Sequence, residues 1–204
     1  TEAAQTAAQL IKAGKVVIDL SADFRLKDWR QYERWYQVKH KERVLLKKAV
    51  YGLPELYREK IRKTDLIANP GCYPTASILG IVPALVSGLA DPEGIIIDAK
   101  SGVSGAGKKT TLDFSFCELN GNFKGYKFNV HQHSPEINQE LSKVSLSKVN
   151  VVFCPHLLPV KCGIYATIYI RLKSQVAAGK IEDIYKKFYK LEPFVMVRPS
   201  GRLP

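Results

Sequence analysis

Long apolar segments are missing from this chain of 204 residues. The longest candidate, Ile78 to Val86, is interrupted by Gly80 and Pro83 and falls short of the roughly 18 residues that a membrane-spanning helix needs. The chain also opens without the basic start and apolar core of a secretory signal. We therefore expect a soluble, intracellular protein with no membrane partner.

Cysteine is scarce and irregularly spaced. No two of the four cysteines form a C-x-x-C pair, which argues against a disulfide framework and against most zinc sites. Cys154-Pro155-His156 offers two metal ligands, but no second ligand pair lies nearby in the sequence, so no metal site is expected. Free thiols, any of which could be reactive, are expected at Cys72, Cys117, Cys154 and Cys162.

Acidic residues are outnumbered by basic ones. The chain has 31 lysines and arginines against 19 aspartates and glutamates, which gives a net charge of +12. A basic surface attracts nucleic acids or anionic metabolites. The lysines are scattered at helix-surface spacing, however, and no basic stripe is interleaved with stacking aromatic residues. A solvated lysine-rich surface is therefore favoured over a nucleic-acid-binding module, and no nucleic-acid partner is expected.

The order of apolar segments predicts an α/β protein. A helix from Glu2 to Ala13, stopped by Gly14, leads directly into a buried strand from Val16 to Leu20, which is half of a βαβ unit. The chain thus begins in the middle of a fold, and we expect an earlier strand and phosphate-binding loop to be absent from it. Further helices are predicted at Tyr73–Ser87 and Ile181–Tyr189, and further strands at Leu66–Ala68, Ile95–Ile97, Phe128–Val130, Val151–Phe153, Ile164–Leu172 and Phe194–Val197.

The stretch Asn69-Pro70-Gly71-Cys72-Tyr73-Pro74-Thr75-Ala76 places one cysteine at the start of a predicted helix. Unpaired amide groups and the helix dipole at this position favour a thiolate over a thiol. Gly71 permits a sharp bend, and Pro74 loses no helical hydrogen bond in the first turn. The arrangement is typical of an exposed nucleophile, although a small buried residue at a tight corner would produce the same pattern.

Two of the four histidines, His131 and His133, directly precede a predicted helix that Ser134 can cap. If this stretch is extended, the two imidazoles point to opposite sides, so that one can face a thiol and the other a substrate. A histidine partner would favour the nucleophile interpretation of Cys72. Two solvated histidines at a polar strand end are the alternative.

Residues Ser101 to Lys109 form a glycine-rich loop after a predicted buried strand. Small residues allow backbone N–H groups to approach an anion, and Lys108 or Lys109 would add positive charge. A flexible turn would have the same composition, so the loop alone is a weak signal.

Several of these segments, taken together and in order, resemble one family: the N-acetyl-γ-glutamyl-phosphate reductases of arginine biosynthesis, within the wider aspartate-semialdehyde dehydrogenase group. The likeness covers almost the whole chain. It is carried by Val17–Arg25, Ala49–Glu55, Asn69–Ala76, Ser101–Lys108, His131–Ile137 and Pro155–Pro159.

The resemblance implies a two-domain dehydrogenase. Residues 1–71 would be the C-terminal part of an NADP-binding Rossmann domain with a parallel sheet, and residues 72–204 an α+β catalytic and subunit-contact domain with a mainly antiparallel sheet. It also implies a homodimer or homotetramer in the cytoplasm, or in the plastid if the source is a plant. The family's glycine-rich dinucleotide fingerprint and its last helix are expected to be missing from this chain.

The implied reaction is the NADPH-dependent reduction of a small-molecule acyl phosphate, N-acetyl-γ-glutamyl phosphate, to its semialdehyde with release of inorganic phosphate. Cys72 would form a thioester, His133 is preferred as the general base, and His131 would orient the substrate, although the two histidine roles stay open. The resemblance assigns cofactor contacts to Ser21, Ala22, Ser101, Gly102, Ser104, Gly105, Ala106 and Gly107.

One position departs from the family pattern. Cys162 stands where an arginine is expected before a glycine, and a thiol cannot provide a bidentate guanidinium for a carboxylate or phosphate. Two alternative activities follow. One is a related reductase that acts on aminoadipyl phosphate, and the other is a Cys-His acyl transferase or hydrolase that uses no nicotinamide.

Overall fold

The structure is a computed structural model that describes residues 1–107 and 116–202. Chain contacts divide it into two units, Thr1–Gly71 and Cys72–Pro204. The elements of the first unit are α1 (Glu2–Lys12), β1 (Val17–Asp19), α2 (Trp29–Tyr36), α3 (Arg43–Lys48), β2 (Val50–Tyr51), α4 (Pro54–Ile61) and β3 (Leu66–Ala68). Their strands form a parallel sheet in the order β1-β3-β2, as the predicted Rossmann remainder requires.

Helix α1 packs on this sheet through small residues. The Thr1 side chain caps the helix by accepting a hydrogen bond from the Ala4 N–H group, and Gly14 ends it with a φ of 69°. Ala4 and Ala7 are buried against a core that includes Leu66 of β3. Because alanine side chains are short, the helix can lie close to the strands.

The second unit is built on a mixed sheet. Its elements are α5 (Cys72–Val86), β4 (Ile96–Ser101), a 3₁₀ turn (Val103–Ala106), α6 (Phe116–Leu119), β5 (Lys124–Gly125), α7 (Ser134–Ser145), β6 (Val152–Leu157), β7 (Ile164–Tyr169) and α8 (Ala178–Phe188). The strand order is β5-β6-β4-β7. The outer pairs are antiparallel, as predicted, but the central β4–β6 pair is parallel because the chain between them crosses over through α7.

Burial alternates along the central strands of this sheet. Ile97 and Ala99 of β4 and Phe153 of β6 are fully buried, whereas their sequence neighbours are half-exposed or exposed. Apolar residues of α5 and α7, such as Ile78 and Ile137, are also fully buried. The core of the second unit therefore lies between one face of the sheet and these helices.

Pro83 leaves one backbone carbonyl of helix α5 without its usual hydrogen-bond donor. Proline has no N–H group, so the Leu79 carbonyl four residues earlier loses its helical partner. The Tyr189 hydroxyl donates a hydrogen bond to the Leu79 carbonyl oxygen at 2.6 Å, and the Tyr185 hydroxyl donates one to the Gly80 carbonyl oxygen at 2.6 Å. Two tyrosines from the α8 region thus satisfy backbone groups next to the proline.

Two predicted strands do not form. Residues 194–197 make turns and irregular structure, with Phe194 93% exposed, because no neighbouring strand pairs with them in the described structure. Residues 128–130 form a turn in which Asn129 has a φ of 55°. Across residues 1–107 and 116–202, no helix combines the length and apolarity needed to cross a membrane.

Replacement of Tyr189 by phenylalanine tests the role of its hydroxyl. Y189F leaves the part-buried Leu79 carbonyl without its donor, and we expect the free energy of unfolding in urea to fall by about 1–2 kcal/mol. Y165F is the matched control, since the Tyr165 side chain is exposed and its hydroxyl has no hydrogen-bond partner in the described part of the chain. Equal stabilities of the two variants would contradict the prediction.

Candidate active site

Cys72 is the first residue of helix α5, the position predicted from the sequence. β3 ends at Ala68, so three residues turn the chain from strand to helix. The thiol is exposed, whereas the two residues that follow, Tyr73 and Pro74, are buried. An accessible sulfur at a helix N-terminus, and not a buried corner residue, is what a nucleophile requires.

Tyr73 connects Cys72 to the two candidate histidines. The centroid of its ring lies 5.6 Å from that of His131 and 6.0 Å from that of His133, both in edge-on geometry. Phe153 of β6 packs edge-on against the same ring at 5.2 Å. The residue after the thiol is therefore in contact with both members of the predicted histidine pair.

A second tyrosine, Tyr126, completes this cluster. Its hydroxyl oxygen lies 3.2 Å from that of Tyr73, and the Tyr73 hydroxyl donates to the His156 carbonyl oxygen at 3.3 Å. Because a phenol has one hydrogen, Tyr126 is the donor in the tyrosine pair. The Tyr126 ring also lies edge-on to His131, at 5.7 Å.

Burial raises the pKa of both phenols, and the charge of Cys72 acts in the same direction on each. Both tyrosines therefore stay protonated at neutral pH and serve as hydrogen-bond donors.

His131 is held in one neutral form. The backbone N–H of His133 donates a hydrogen bond to His131 Nδ1 at 3.1 Å, so Nδ1 carries no proton and the ring proton sits on Nε2. Burial, together with a smaller effect of the positive charge of Lys127, lowers the pKa of His131 to about 4. At neutral pH His131 is thus a hydrogen-bond donor through Nε2 and a poor base.

His133 is more accessible and has a different environment. It is half-buried and occupies the N-cap position of α7, with Pro135 in the first turn as expected. The expectation that Ser134 caps the helix is wrong, since Ser134 is already its first residue. Residues 131–133 do not form an extended strand, so the condition for opposite ring directions is not met, and the centroids of the two imidazole rings are 4.7 Å apart.

The glycine-rich loop is held against a second loop, Val160–Gly163. The N–H groups of Gly102, Val103 and Ser104 donate to the carbonyl oxygens of Gly163, Val160 and Lys161 at 2.9–3.0 Å. A Cβ atom on residue 102 would lie 2.6 Å from the Cys162 backbone nitrogen, so glycine is required there.

Hydrogen bonds within the loop use two more of its N–H groups. Gly105 N–H donates to the Gly102 carbonyl, and Gly107 N–H donates to the Ser104 carbonyl. These groups are therefore already engaged within the protein. Cofactor binding by this loop, including Ser101 and Ala106, stays a prediction. Lys108 and Lys109 lie outside the described residues.

Ser21 and Ala22, the other predicted cofactor contacts, lie in the turn after β1. The Ser21 hydroxyl donates to Asp19 Oδ2 at 2.8 Å and accepts a hydrogen bond from the Asp23 N–H group at 3.1 Å. The Ala22 carbonyl accepts from the Arg25 N–H group at 3.4 Å. Both residues shape this turn, and their contact with a cofactor stays a prediction.

His156 belongs to a polar cluster on the mixed sheet. Its Nδ1 atom lies 3.2 Å from Asp98 Oδ1, and Lys100 Nζ lies 2.5 Å from Asp98 Oδ2. In the part of the chain that the structure describes, no group of three or more His, Cys, Asp or Glu side chains could hold a metal ion. The side chain of Cys117 is not described, and the free thiols are Cys72, Cys154 and Cys162.

Sequence reasoning missed both tyrosines of the candidate site. Tyr73 lies inside the motif that drew attention to Cys72, so its position was a usable signal. Tyr126 is 53 residues further along, in a segment with no local pattern. Only the fold brings its hydroxyl to that of Tyr73.

The chain matches two domains of one family. Residues 72–204 match the semialdehyde dehydrogenase dimerisation domain, and residues 1–64 match the semialdehyde dehydrogenase NAD-binding domain. Solved structures of aspartate semialdehyde dehydrogenases share the fold at low sequence identity. The enzyme II from Vibrio cholerae is 18% identical with a TM-score of 0.63, covering 90% of this chain and 58% of that one. The enzyme with NADP from Candida albicans is 14% identical with a TM-score of 0.55, covering 89% and 52%.

Curated relatives are more similar in sequence. N-acetyl-gamma-glutamyl-phosphate reductase from Pelotomaculum thermopropionicum is 52% identical over 97% of this chain. The protein of the same name from Desulfotalea psychrophila is 52% identical over 96% of it. The chain spans 57% of the length of each of these relatives. These matches confirm the family resemblance seen in the motifs.

The lowered pKa of His131 predicts a pH-dependent stability. Since its folded pKa of about 4 lies below the ordinary value of 6.5, the unfolded chain takes up the proton first as the pH falls. The neutral His131 ring contributes up to about 3 kcal/mol to the free energy of unfolding. This contribution is complete above pH 6.5 and is lost as the pH falls toward 4.

Urea unfolding between pH 4 and pH 8 measures this contribution. H131N is the matched variant, because its amide oxygen can still accept from the His133 N–H group and does not titrate. Carboxylates titrate in both proteins, so only the difference between the two curves counts. Parallel curves would refute a buried neutral His131.

Proposed function

The chain belongs to the semialdehyde dehydrogenase family, and on that basis we propose that the protein is an NADP-dependent N-acetyl-γ-glutamyl-phosphate reductase. It would reduce the acyl phosphate to N-acetylglutamate semialdehyde and release inorganic phosphate. The observation that carries this proposal is an exposed Cys72 thiol at a helix N-terminus, next to a tyrosine whose ring contacts His131 and His133. The curated relatives at about 50% identity supply the substrate class.

Cys72 is the nucleophile in the first step. Its sulfur is exposed at the first residue of α5 and attacks the acyl carbon as the thiolate. A carbon–sulfur bond forms, the bond from the acyl carbon to the phosphate oxygen breaks, and phosphate leaves with that electron pair. His133 accepts the thiol proton and can pass it to the departing phosphate.

His131 stabilises the oxygen that becomes negative in this step. Its proton sits on Nε2, and it remains neutral over the working pH range because its pKa is about 4. A donor fixed in advance by the His133 backbone needs no rearrangement when charge develops on the acyl oxygen. The structure thus supports the preferred division, with His133 as base and His131 as donor.

Residues 1–64 match an NAD-binding domain, so part of the cofactor site lies in this chain. The parallel sheet β1-β3-β2 fits that assignment, with Ser21 and Ala22 after the carboxyl end of β1. NADPH, when bound, supplies the hydride that reduces the Cys72 thioester. The reduced carbon then releases Cys72 as its thiolate and becomes the aldehyde, while His133 exchanges a proton with the oxygen of the thiohemiacetal. The preference for NADP over NAD is part of the proposal.

The remaining features of the proposal are coarser. The dimerisation-domain match fits a homo-oligomer, and we propose a homodimer or homotetramer in the cytoplasm. The relatives named above are bacterial, which gives a plastid location no support. The acyl chain is left open because Cys162 replaces the arginine expected at this position. Comparison of N-acetylglutamate semialdehyde with aminoadipate semialdehyde as substrates would decide between the two.

Replacement of Cys72 tests the thioester step. In the reverse direction, the natural full-length protein should reduce NADP⁺ in the presence of N-acetylglutamate semialdehyde and phosphate. C72S should lose at least about a thousandfold in kcat, because an alcohol is a far weaker nucleophile at neutral pH. C154S is the matched control and should retain activity, since Cys154 lies on β6 outside the histidine cluster. Persistent activity in C72S, or none in the unaltered protein, would refute the proposal.

The two histidines should differ in their effect on the pH profile. H133N should lower kcat by about 10²- to 10⁴-fold and abolish the pH limb of the general base. H131N should lower kcat while the limb remains, because it removes a donor that does not titrate near pH 7. Profiles of kcat against pH for both variants separate the roles, and the reverse result would exchange them.

A further inference from the structure

A lysine projects from an anchored turn directly before the histidine pair. Lys127 has a φ of 47°, in the left-handed region that non-glycine residues seldom adopt, and its carbonyl accepts a hydrogen bond from the Val130 N–H group at 3.2 Å. Asn129 fixes the turn to β6, since its N–H donates to the Phe153 carbonyl and its Oδ1 accepts from the Phe153 N–H group. The backbone of Lys127 is thus held in a conformation with a cost of its own.

The side chain of Lys127 reaches the candidate site. Its Nζ atom lies 3.3 Å from Oε1 of Gln132, the residue between the two histidines. The ring of the preceding residue, Tyr126, contacts the His131 ring, and the charge of Cys72 helps to raise the pKa of Tyr126. The charge of Lys127 also acts on His131. The ammonium group therefore lies beside Gln132, the residue between the two histidines, and follows a residue whose ring packs against His131.

Lys127 has no carboxylate partner among residues 1–107 and 116–202. Some other lysines of the second unit are paired with carboxylates: Lys100 with Asp98, Lys143 with Glu140 and Lys186 with Glu182. Lys127 is exposed and bonds only an amide oxygen. An exposed ammonium with this single neutral partner keeps donors available for an anion.

We propose that Lys127 binds the phosphoryl group of the acyl phosphate, and inorganic phosphate in the reverse reaction. This inference rests on the proposed function. The phosphoryl group is attached to the carbon that Cys72 attacks, so it must lie within a few ångströms of the sulfur. Lys127 supplies a positive charge on that side, in the same segment as the neutral donor His131. A charge-assisted contact to phosphate stabilises the bound substrate and the departing phosphate.

Steady-state kinetics in the phosphate-dependent direction test this role. K127Q should raise the KM for inorganic phosphate about tenfold or more, while the KM for the semialdehyde changes less than about twofold. K127R should restore most of the phosphate affinity, since it keeps the charge. K148Q is the matched control: Lys148 is exposed beyond the far end of α7 and should leave both constants unchanged.

A variant of Gln132 tests whether Lys127 binds phosphate or only holds Gln132 in place. Q132A removes the only described hydrogen-bond partner of the Lys127 ammonium and leaves the charge in place. If Lys127 binds phosphate, Q132A should raise the phosphate KM much less than K127Q does. Equal effects of the two variants would mean that Lys127 merely holds Gln132, and would overturn the inference.

A readout independent of turnover keeps this inference separate from the proposed function. Inorganic phosphate should slow the alkylation of Cys72, followed by mass spectrometry of its peptide, in the unaltered protein and much less in K127Q. Protection that depends on Lys127 supports the phosphate site even if N-acetylglutamate semialdehyde is not a substrate. Turnover with an unchanged phosphate KM in K127Q would overturn the Lys127 role alone. No protection in the unaltered protein would overturn the phosphate site.

Discussion

The candidate site depends on the contacts of one buried ring, that of Tyr73. The ring follows the exposed Cys72 in sequence and is packed between the two histidines and Phe153. Its hydroxyl joins Tyr126 and the backbone of β6. Helix α5, the histidine turn and the mixed sheet thus meet at a single side chain. The packing of Tyr73 therefore also fixes the position of the neighbouring Cys72, although the Cys72 sulfur is exposed to solvent.

The backbone around His131 and His133 gives the two imidazole rings different hydrogen-bonding environments. The N–H group of His133 fixes the tautomer of His131, and burial keeps that ring neutral. His133 is half-buried at the start of α7, and in the proposed mechanism it is the member of the pair that accepts a proton. One hydrogen bond between nearby residues therefore fixes His131 as a donor through Nε2.

Much of the fold could be predicted from local patterns in the sequence. The start of α5 at Cys72, the stop of α1 at Gly14 and the strand Leu66–Ala68 follow from turn residues, helix-end chemistry and apolar runs in the sequence itself. Tertiary context decided the rest. The turn at 128–130 forms because Asn129 bonds to Phe153, 24 residues further along. Tyr126 joins the site through a contact that spans 53 residues, which no local window can register.

The close approach of Gly102 to residue 162 has an evolutionary consequence. What presses on Gly102 is the backbone of Cys162, while the Cys162 side chain is exposed. The main-chain shape of Val160–Gly163 is thus locked by its hydrogen bonds to the glycine-rich loop. The side chain at position 162 can be exchanged, thiol for guanidinium or the reverse, without disturbing that scaffold. The residue at this position is therefore free to change among descendants of one ancestor while the loops around it stay the same.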